Sequence, residues 1–95
     1  MDAPKYIIVE MFSGVCTFET PIVFPCFIGH DDMARAMGYK PEKVLAAGFV
    51  MFAPKKYSDS VVNVSTYGKS VTLGVESRPE DADLIRKSLA LNDED

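Results

Sequence analysis

The stretch Lys43–Ala53, KVLAAGFVMFA, is apolar on both of its alternating sets of residues. Successive side chains of a strand point to opposite faces of the sheet. A strand that is apolar on both faces is typical of the centre of a sheet that is covered on both sides. Gly48 interrupts the run, and a glycine inside a strand indicates a bulge or the close approach of another backbone. The stretch therefore predicts a central strand with packed layers above and below it.

Two strands are predicted before this one. Tyr6–Phe12 is rich in β-branched and aromatic residues, and Thr17–Phe24 has the same character after a turn at Ser13–Gly14. Pro21 lies within the second strand. Because proline has no N–H to donate to a neighbouring strand, this strand is predicted at an edge of the sheet.

A short helix is predicted between Gly29 and Gly38, because apolar residues recur there at helical spacing. His30 and the adjacent Asp31 precede the apolar positions. Such residues cap the free amides of a first helical turn. We therefore interpret this histidine and this aspartate as capping residues.

After the central strand, residues 54–60 are predicted to form an exposed loop. Residues 61–66 and 70–75 alternate between apolar and polar side chains, with Tyr67–Gly68 between them. This pattern predicts a hairpin of two strands with a turn at the glycine.

A C-terminal helix is predicted from the sequence Ser77–Glu80, which matches a capping box. The helix is expected to reach about Asn92 and to bury Ile85 and Leu89. The whole order, ββαβββα, predicts one domain over residues 1–95. Its fold class is α+β, with a mainly antiparallel sheet of four or five strands, one short helix and one C-terminal helix. Residues 92–95 are predicted to be a frayed acidic tail.

The acidic residues are concentrated near the C-terminus. Residues 76–95 carry seven acidic and three basic residues, whereas the first 75 carry seven of each. An acidic end disfavours nucleic acid and favours a basic protein partner. Glu80, Asp81 and Asp83 are the candidate binding residues on this end. Gly48–Phe52 matches the end of an RNA-binding strand motif, but Leu45–Ala47 lack its basic, glycine and aromatic positions, so RNA binding is not expected.

The sequence contains few residues arranged for catalysis. The two cysteines, Cys16 and Cys26, lack the close pairing of a structural zinc site. Cys26, His30 and Asp31 lie near one another in sequence, but nothing beside them supplies an oxyanion hole. We therefore expect a protein that is not an enzyme, with no catalytic residue, no metal and no cofactor. The chain has no apolar run long enough to span a membrane and no export signal, which favours the cytoplasm and free thiols.

Three segments, Ile22–Pro25, His30–Ala34 and Ser70–Ala82, resemble small uncharacterised accessory proteins of tailed phages and prophages. The resemblance touches about half of the chain and carries over no functional residue. It implies a phage-encoded protein in the host cytoplasm. It also implies a class of function, since such proteins often bind and block a host factor, including bacterial immune components.

The leading hypothesis is a small binding protein that blocks a host protein with a basic surface. An alternative is a homo-oligomer that sequesters an anionic, nucleotide-like ligand in an interface pocket. The candidate residues of that pocket are Tyr6, Phe12, Arg35, Tyr57 and the lysines Lys40, Lys43, Lys55, Lys56 and Lys69. A structural or assembly component of a phage particle is a further alternative. A homodimer is expected through the N-terminal hairpin, because its phenylalanines exceed what so small a core can hold, which leaves Phe12 or Phe27 near the surface.

Overall fold

A computed structural model of the protein describes residues 3–55 and 58–88. The elements follow one another in this order: β1 (Lys5–Ser13), β2 (Cys16–Phe24), α1 (His30–Ala36), a 3₁₀ turn (Pro41–Lys43), β3 (Val44–Lys55), β4 (Ser58–Tyr67), β5 (Lys69–Ser70), β6 (Val75–Glu76) and α2 (Asp81–Ser88).

The main sheet is antiparallel and has the strand order β2-β1-β3-β4, and β5 and β6 form a separate two-stranded hairpin. The predicted α+β fold class is therefore confirmed. The edge position of β2 and the central position of β3 are confirmed as well. The predicted continuation of α2 to Asn92, with Leu89 and the acidic tail, lies outside the described residues.

Both faces of the sheet are covered. One face packs Tyr6 and Ile8 of β1 against Ile85 of α2. The other face packs Ile7 and Val9 against Ala34 of α1 and against side chains of the β5–β6 hairpin. The odd and even residues of β1 are therefore buried in two different layers, as its period of two requires.

Gly48 is a point of close approach, as its position in the strand predicts. A Cβ atom added there would lie 2.5 Å from the carbonyl oxygen of Tyr67 and 3.3 Å from the ring of Tyr6. A bulge lies nearby in β3, because Ile8 pairs with Ala46 whereas Val9 pairs with Val44. The lack of a side chain at Gly48 allows the backbone at the end of β4 to approach β3 closely.

Four local predictions are wrong. Residues 54–60 are predicted as a loop, but those that the structure describes lie in strands, because β3 extends to Lys55 and β4 begins at Ser58. Residues 61–66 and 70–75 do not pair with each other, since β4 pairs with β3 and β5 pairs with β6. The predicted cap of α1 is wrong as well, because Gly29 occupies the cap position and makes no side-chain hydrogen bond there. Alternation identified β4 but was wrong about a single strand over residues 70–75, where β5 and β6 flank a turn at 71–74, and it contains no information about strand partners.

The start of the C-terminal helix is also corrected. α2 begins at Asp81 rather than directly after Ser77. The backbone N–H of Ser77 instead donates to the carbonyl of Gly68 at 3.0 Å, which holds Ser77 against the end of β4. The carboxylate of Asp81 accepts the backbone N–H of Arg78 at 2.8 Å. The side chain that accepts a backbone hydrogen bond in the turn before the helix is therefore that of Asp81, not that of Ser77.

Candidate protein-binding surface

The distal half of the β1–β2 hairpin projects beyond the rest of the sheet. β1 pairs with β2 along its whole length, from Lys5 to Ser13, but it pairs with β3 only as far as Val9. Every residue from Glu10 to Glu19 is exposed. Gly14, with φ of 63°, begins the tight turn at the tip, as primed hairpin turns require. We call the segment Glu10–Glu19 the arm.

The arm carries large apolar side chains on both of its faces. Phe12 is 75% exposed and Phe18 is 50% exposed. Met11 and Phe18 are register partners and share one face, whereas Phe12 points to the other. Val15, at the tip, is fully exposed. The expectation that Phe12 is left near the surface is confirmed.

A cleft of about 380 Å³ lies between the arm and the segment that leads into β3. We call it the Phe12 cleft; it is lined by Glu10, Phe12, Tyr39, Glu42, Lys43 and Leu45. The lining combines two aromatic rings and a leucine with two carboxylates and one ammonium group. Such a cleft suits an apolar group that carries or adjoins positive charge.

A polar cluster fixes the base of the arm to the start of α2. The Arg78 guanidinium donates to Glu19 at 2.8 Å through Nη2 and to Asp81 at 2.9 Å through Nε. Burial lowers the pKa of Arg78, but its hydrogen bonds to Glu19 and Asp81 outweigh burial and raise the pKa above its ordinary value. Arg78 therefore stays charged and links β2 to the helix.

Tyr6 completes this cluster from inside the sheet. Its hydroxyl donates to Oδ2 of Asp81 at 2.5 Å, and both side chains are fully buried. Burial raises the pKa of Tyr6, and the hydrogen bond and the negative charge of Asp81 raise it further. The phenol therefore remains a neutral donor, and the cluster is a structural one.

The structure separates the predicted site residues. Phe12 lines the cleft, whereas Asp81 is fully buried, so a partner cannot reach Asp81 and its prediction as a binding residue is corrected. Glu80 and Asp83 are exposed, pair with Arg78 and Arg86 respectively, and do not line the cleft.

The residues predicted for the anionic ligand come together only in part: among those that the structure describes, Phe12 and Lys43 both line the Phe12 cleft. Tyr6 is fully buried and cannot line an interface pocket. Arg35 lies on α1, where it pairs with Asp31 and Asp32. Lys55 ends β3, and Lys56 and Tyr57 lie outside the described residues.

Sequence reasoning missed Glu10, Tyr39, Glu42 and Leu45. A signal was present for Glu10, because a charged residue after the apolar run Tyr6–Val9 marks the point where β1 leaves the core. No such signal marks Tyr39, Glu42 or Leu45. They reach the cleft through the turn before β3 and through the bulge in it.

His30 has a structural environment. Its Nε2 lies 2.9 Å from the carbonyl oxygen of Gly48, so this nitrogen carries the proton and donates it. The ring packs edge-on against Phe24 and Phe49, with 5.7 Å between ring centroids in each pair. Burial lowers the pKa of His30, although the hydrogen bond to Gly48 opposes this effect. The imidazole is therefore neutral at pH 7.

The cysteines lie at opposite ends of β2. Cys16 begins the strand and Cys26 follows its last residue, Phe24, so about 27 Å separate the strand ends. Among the residues that the structure describes, no three His, Cys, Asp or Glu side chains are grouped so that they could hold a metal ion.

Comparison of the chain with protein-family models, with curated proteins and with solved structures finds no match. Within the described part of the chain, neither helix is long and apolar enough to cross a membrane.

Proposed function

We propose that the protein binds another protein through the arm and the Phe12 cleft, and that it acts by occupying that partner's surface. In line with the resemblance to phage accessory proteins, the partner is a host protein with a basic surface. The observation that carries the proposal is the arm itself, in which ten consecutive exposed residues hold large apolar side chains on both faces.

The energetics of the arm support a binding role. A projecting apolar surface costs solubility and contributes little to the core, so contiguous exposure of this kind marks interaction sites. Aromatic side chains that enter a partner's pocket provide most of the binding energy of many interfaces. Phe12 is the best placed anchor, because it borders the cleft and is 75% exposed. Glu10 and Glu42 lie beside it and favour a basic partner.

Affinity capture from a lysate of the host bacterium tests the proposal. The baits are the wild type, Phe12→Ser and Phe27→Ser. Phe27 is a matched control because it is 83% exposed but lies outside the arm. We expect the wild type and Phe27→Ser to retain the same protein and Phe12→Ser to lose it, with weaker capture at high salt. Equal capture by both variants, or no enriched protein at any salt concentration, would contradict the proposal.

A homodimer is a second use of the same arm. When a partner segment occupies the Phe12 cleft, Met11 and Phe18 still face away from it. A second copy of the chain would cover this face. The surface around the arm thus supports self-association in the absence of the partner, and sedimentation measures it.

A further inference from the structure

The direction of the backbone groups of β1 follows from Pro21. Pro21 is the register partner of Ile8 in the β1–β2 ladder. Because proline has no N–H, its backbone must face away from β1, so the pair Ile8–Pro21 is one of the non-hydrogen-bonded pairs. Even-numbered residues of β1 therefore direct their N–H and C=O groups away from β2. The even-numbered Pro4, just before β1, is consistent with this, since its carbonyl accepts the backbone N–H of Val50 in β3 at 2.9 Å.

The same alternation leaves an open strand edge in the arm. The β1–β2 register is continuous to Ser13, so Glu10 and Phe12 also direct their backbone groups away from β2. β3 ends its pairing with β1 at Val44, opposite Val9, and among the described residues no strand takes its place. Two N–H and two C=O groups therefore face the Phe12 cleft.

We propose that the open edge at Glu10 and Phe12 binds an extended segment of the partner protein as an added antiparallel strand that continues the line of β3. This rests on the proposed function, because it takes the arm as the binding surface. Strand addition of this kind derives affinity from main-chain hydrogen bonds and specificity from alternate side chains. The edge from Glu10 to Ser13 is about 13 Å long and accommodates about four residues.

The side chains around the edge define the chemistry of the segment. A residue that pairs with Phe12 places its side chain on the same face as Phe12, beside the apolar lining of the cleft. Two residues later, the segment pairs with Glu10, where a basic side chain is favoured. The preferred segment therefore reads apolar, any residue, then lysine or arginine.

A second copy of the chain fits this edge poorly. In the second copy, the arm residues whose backbone N–H and C=O groups face away from β2 are again Glu10 and Phe12. Pairing its Phe12 with Glu10 would place its Ser13 opposite Val9, where Val44 already lies. Only the pairing of Phe12 with Phe12 avoids this overlap, and it forms a single hydrogen-bonded pair. The edge is therefore assigned to a different protein.

A displayed library of random peptides of about nine residues, selected on the immobilised wild-type protein, tests the proposal. We expect the enriched peptides to share the apolar-x-Lys/Arg pattern. Each is then resynthesised with one backbone nitrogen methylated at a time. Methylation at alternate positions should weaken binding about tenfold, and methylation between them should leave binding unchanged. Failure to enrich any peptide, or tolerance of methylation at every position, would overturn strand addition.

Three variants locate the binding edge on the protein. Glu10→Pro removes an N–H that faces the cleft, and Glu10→Gln removes only the charge. Thr17, the register partner of Phe12, directs its N–H to the opposite edge of the arm, so Thr17→Pro is the matched control. We expect Glu10→Pro to weaken peptide binding about tenfold more than Glu10→Gln, and Thr17→Pro to have no effect. Equal loss in both proline variants would overturn the assignment.

The two proposals fail in different ways. If Phe12→Ser loses the captured protein but N-methylated peptides bind normally, the arm binds a protein through side chains alone; strand addition then fails and the proposed function stands. If Phe12→Ser and Phe27→Ser capture alike, the proposed function fails. If Glu10→Pro instead dissociates a wild-type dimer, the edge binds a second copy, and the assignment to a different protein is wrong.

Discussion

The buried carboxylate of Asp81 shows how one residue joins distant parts of the chain. It accepts hydrogen bonds from the Tyr6 hydroxyl and from both the backbone and the guanidinium of Arg78. Asp81→Ala would leave a buried phenol and a partly buried guanidinium without this partner. We expect a loss of about 3–5 kcal/mol in the free energy of unfolding, measured with urea. Asp83→Ala, an exposed position on the same helix, should cost less than about 0.5 kcal/mol. Similar losses in both would show that the cluster does not hold α2 to the sheet.

His30 makes stability depend on pH. Burial lowers its pKa below the ordinary value of 6.5, and the charge of Lys5 adds to this, whereas Asp31 opposes it. Above pH 6.5 the ring is neutral in both the folded and the unfolded state, and stability is fully present. As the pH falls below 6.5, the unfolded state takes up a proton that the folded state resists. The free energy of unfolding should therefore decrease until the pH passes the pKa of the folded state.

His30→Gln provides the control for this pH dependence. Glutamine retains an N–H that is able to reach Gly48 but does not titrate. His30 is the one histidine of the chain, so no other side chain of this type titrates in the same range. Urea unfolding between about pH 7 and pH 5 should show a slope for the wild type and a flatter profile for the variant. A wild-type profile as flat as that of the variant would refute the prediction.

At the scale of elements, β1 is one strand with two different roles. Its first half is buried between two layers, and its second half forms the arm. Ile8 and Phe12 lie on the same face of this strand, but Ile8 is fully buried. Ile8→Ala should cost about 2–5 kcal/mol in urea unfolding, whereas Phe12→Ser should cost less than about 0.5 kcal/mol. A large loss for Phe12→Ser would mean that the arm is part of the folded core.

The sequence predicted individual elements better than their partners. The central position of β3 followed from its two apolar faces, and the edge position of β2 followed from Pro21, because both are local signals. The pairing of β4 with β3 was missed although the two strands are neighbours in sequence, because residues 54–60 were predicted as a loop and alternation does not encode which strands pair. The capping box at Ser77 failed because the carbonyl of Gly68, between β4 and β5, accepts its N–H.

The binding surface was predictable only in part at the scale of the whole molecule. Counting phenylalanines against a small core indicated that Phe12 or Phe27 is exposed, because that argument needs only volume, and both are exposed. The acidic residues near the C-terminus instead predicted a binding surface at that end of the chain. Net charge does not reveal burial, and Asp81 is buried in the polar cluster. The Phe12 cleft arises because β1 continues beyond the point where its pairing with β3 ends. The position of that point depends on strand register across the whole sheet.

Self-association is the last property to be tested at this scale. We expect the wild type to sediment as a dimer at high micromolar concentration in the absence of a partner, because the apolar faces of the arm are otherwise exposed to water. Phe18→Asp places a charge on the Met11–Phe18 face of the arm, which the second copy would cover, and should yield a folded monomer. Phe27→Asp adds the same charge to a residue that is 83% exposed outside the arm and should remain dimeric. A wild type that stays monomeric would end the dimer proposal, and a dimer lost equally in both variants would place the contact elsewhere.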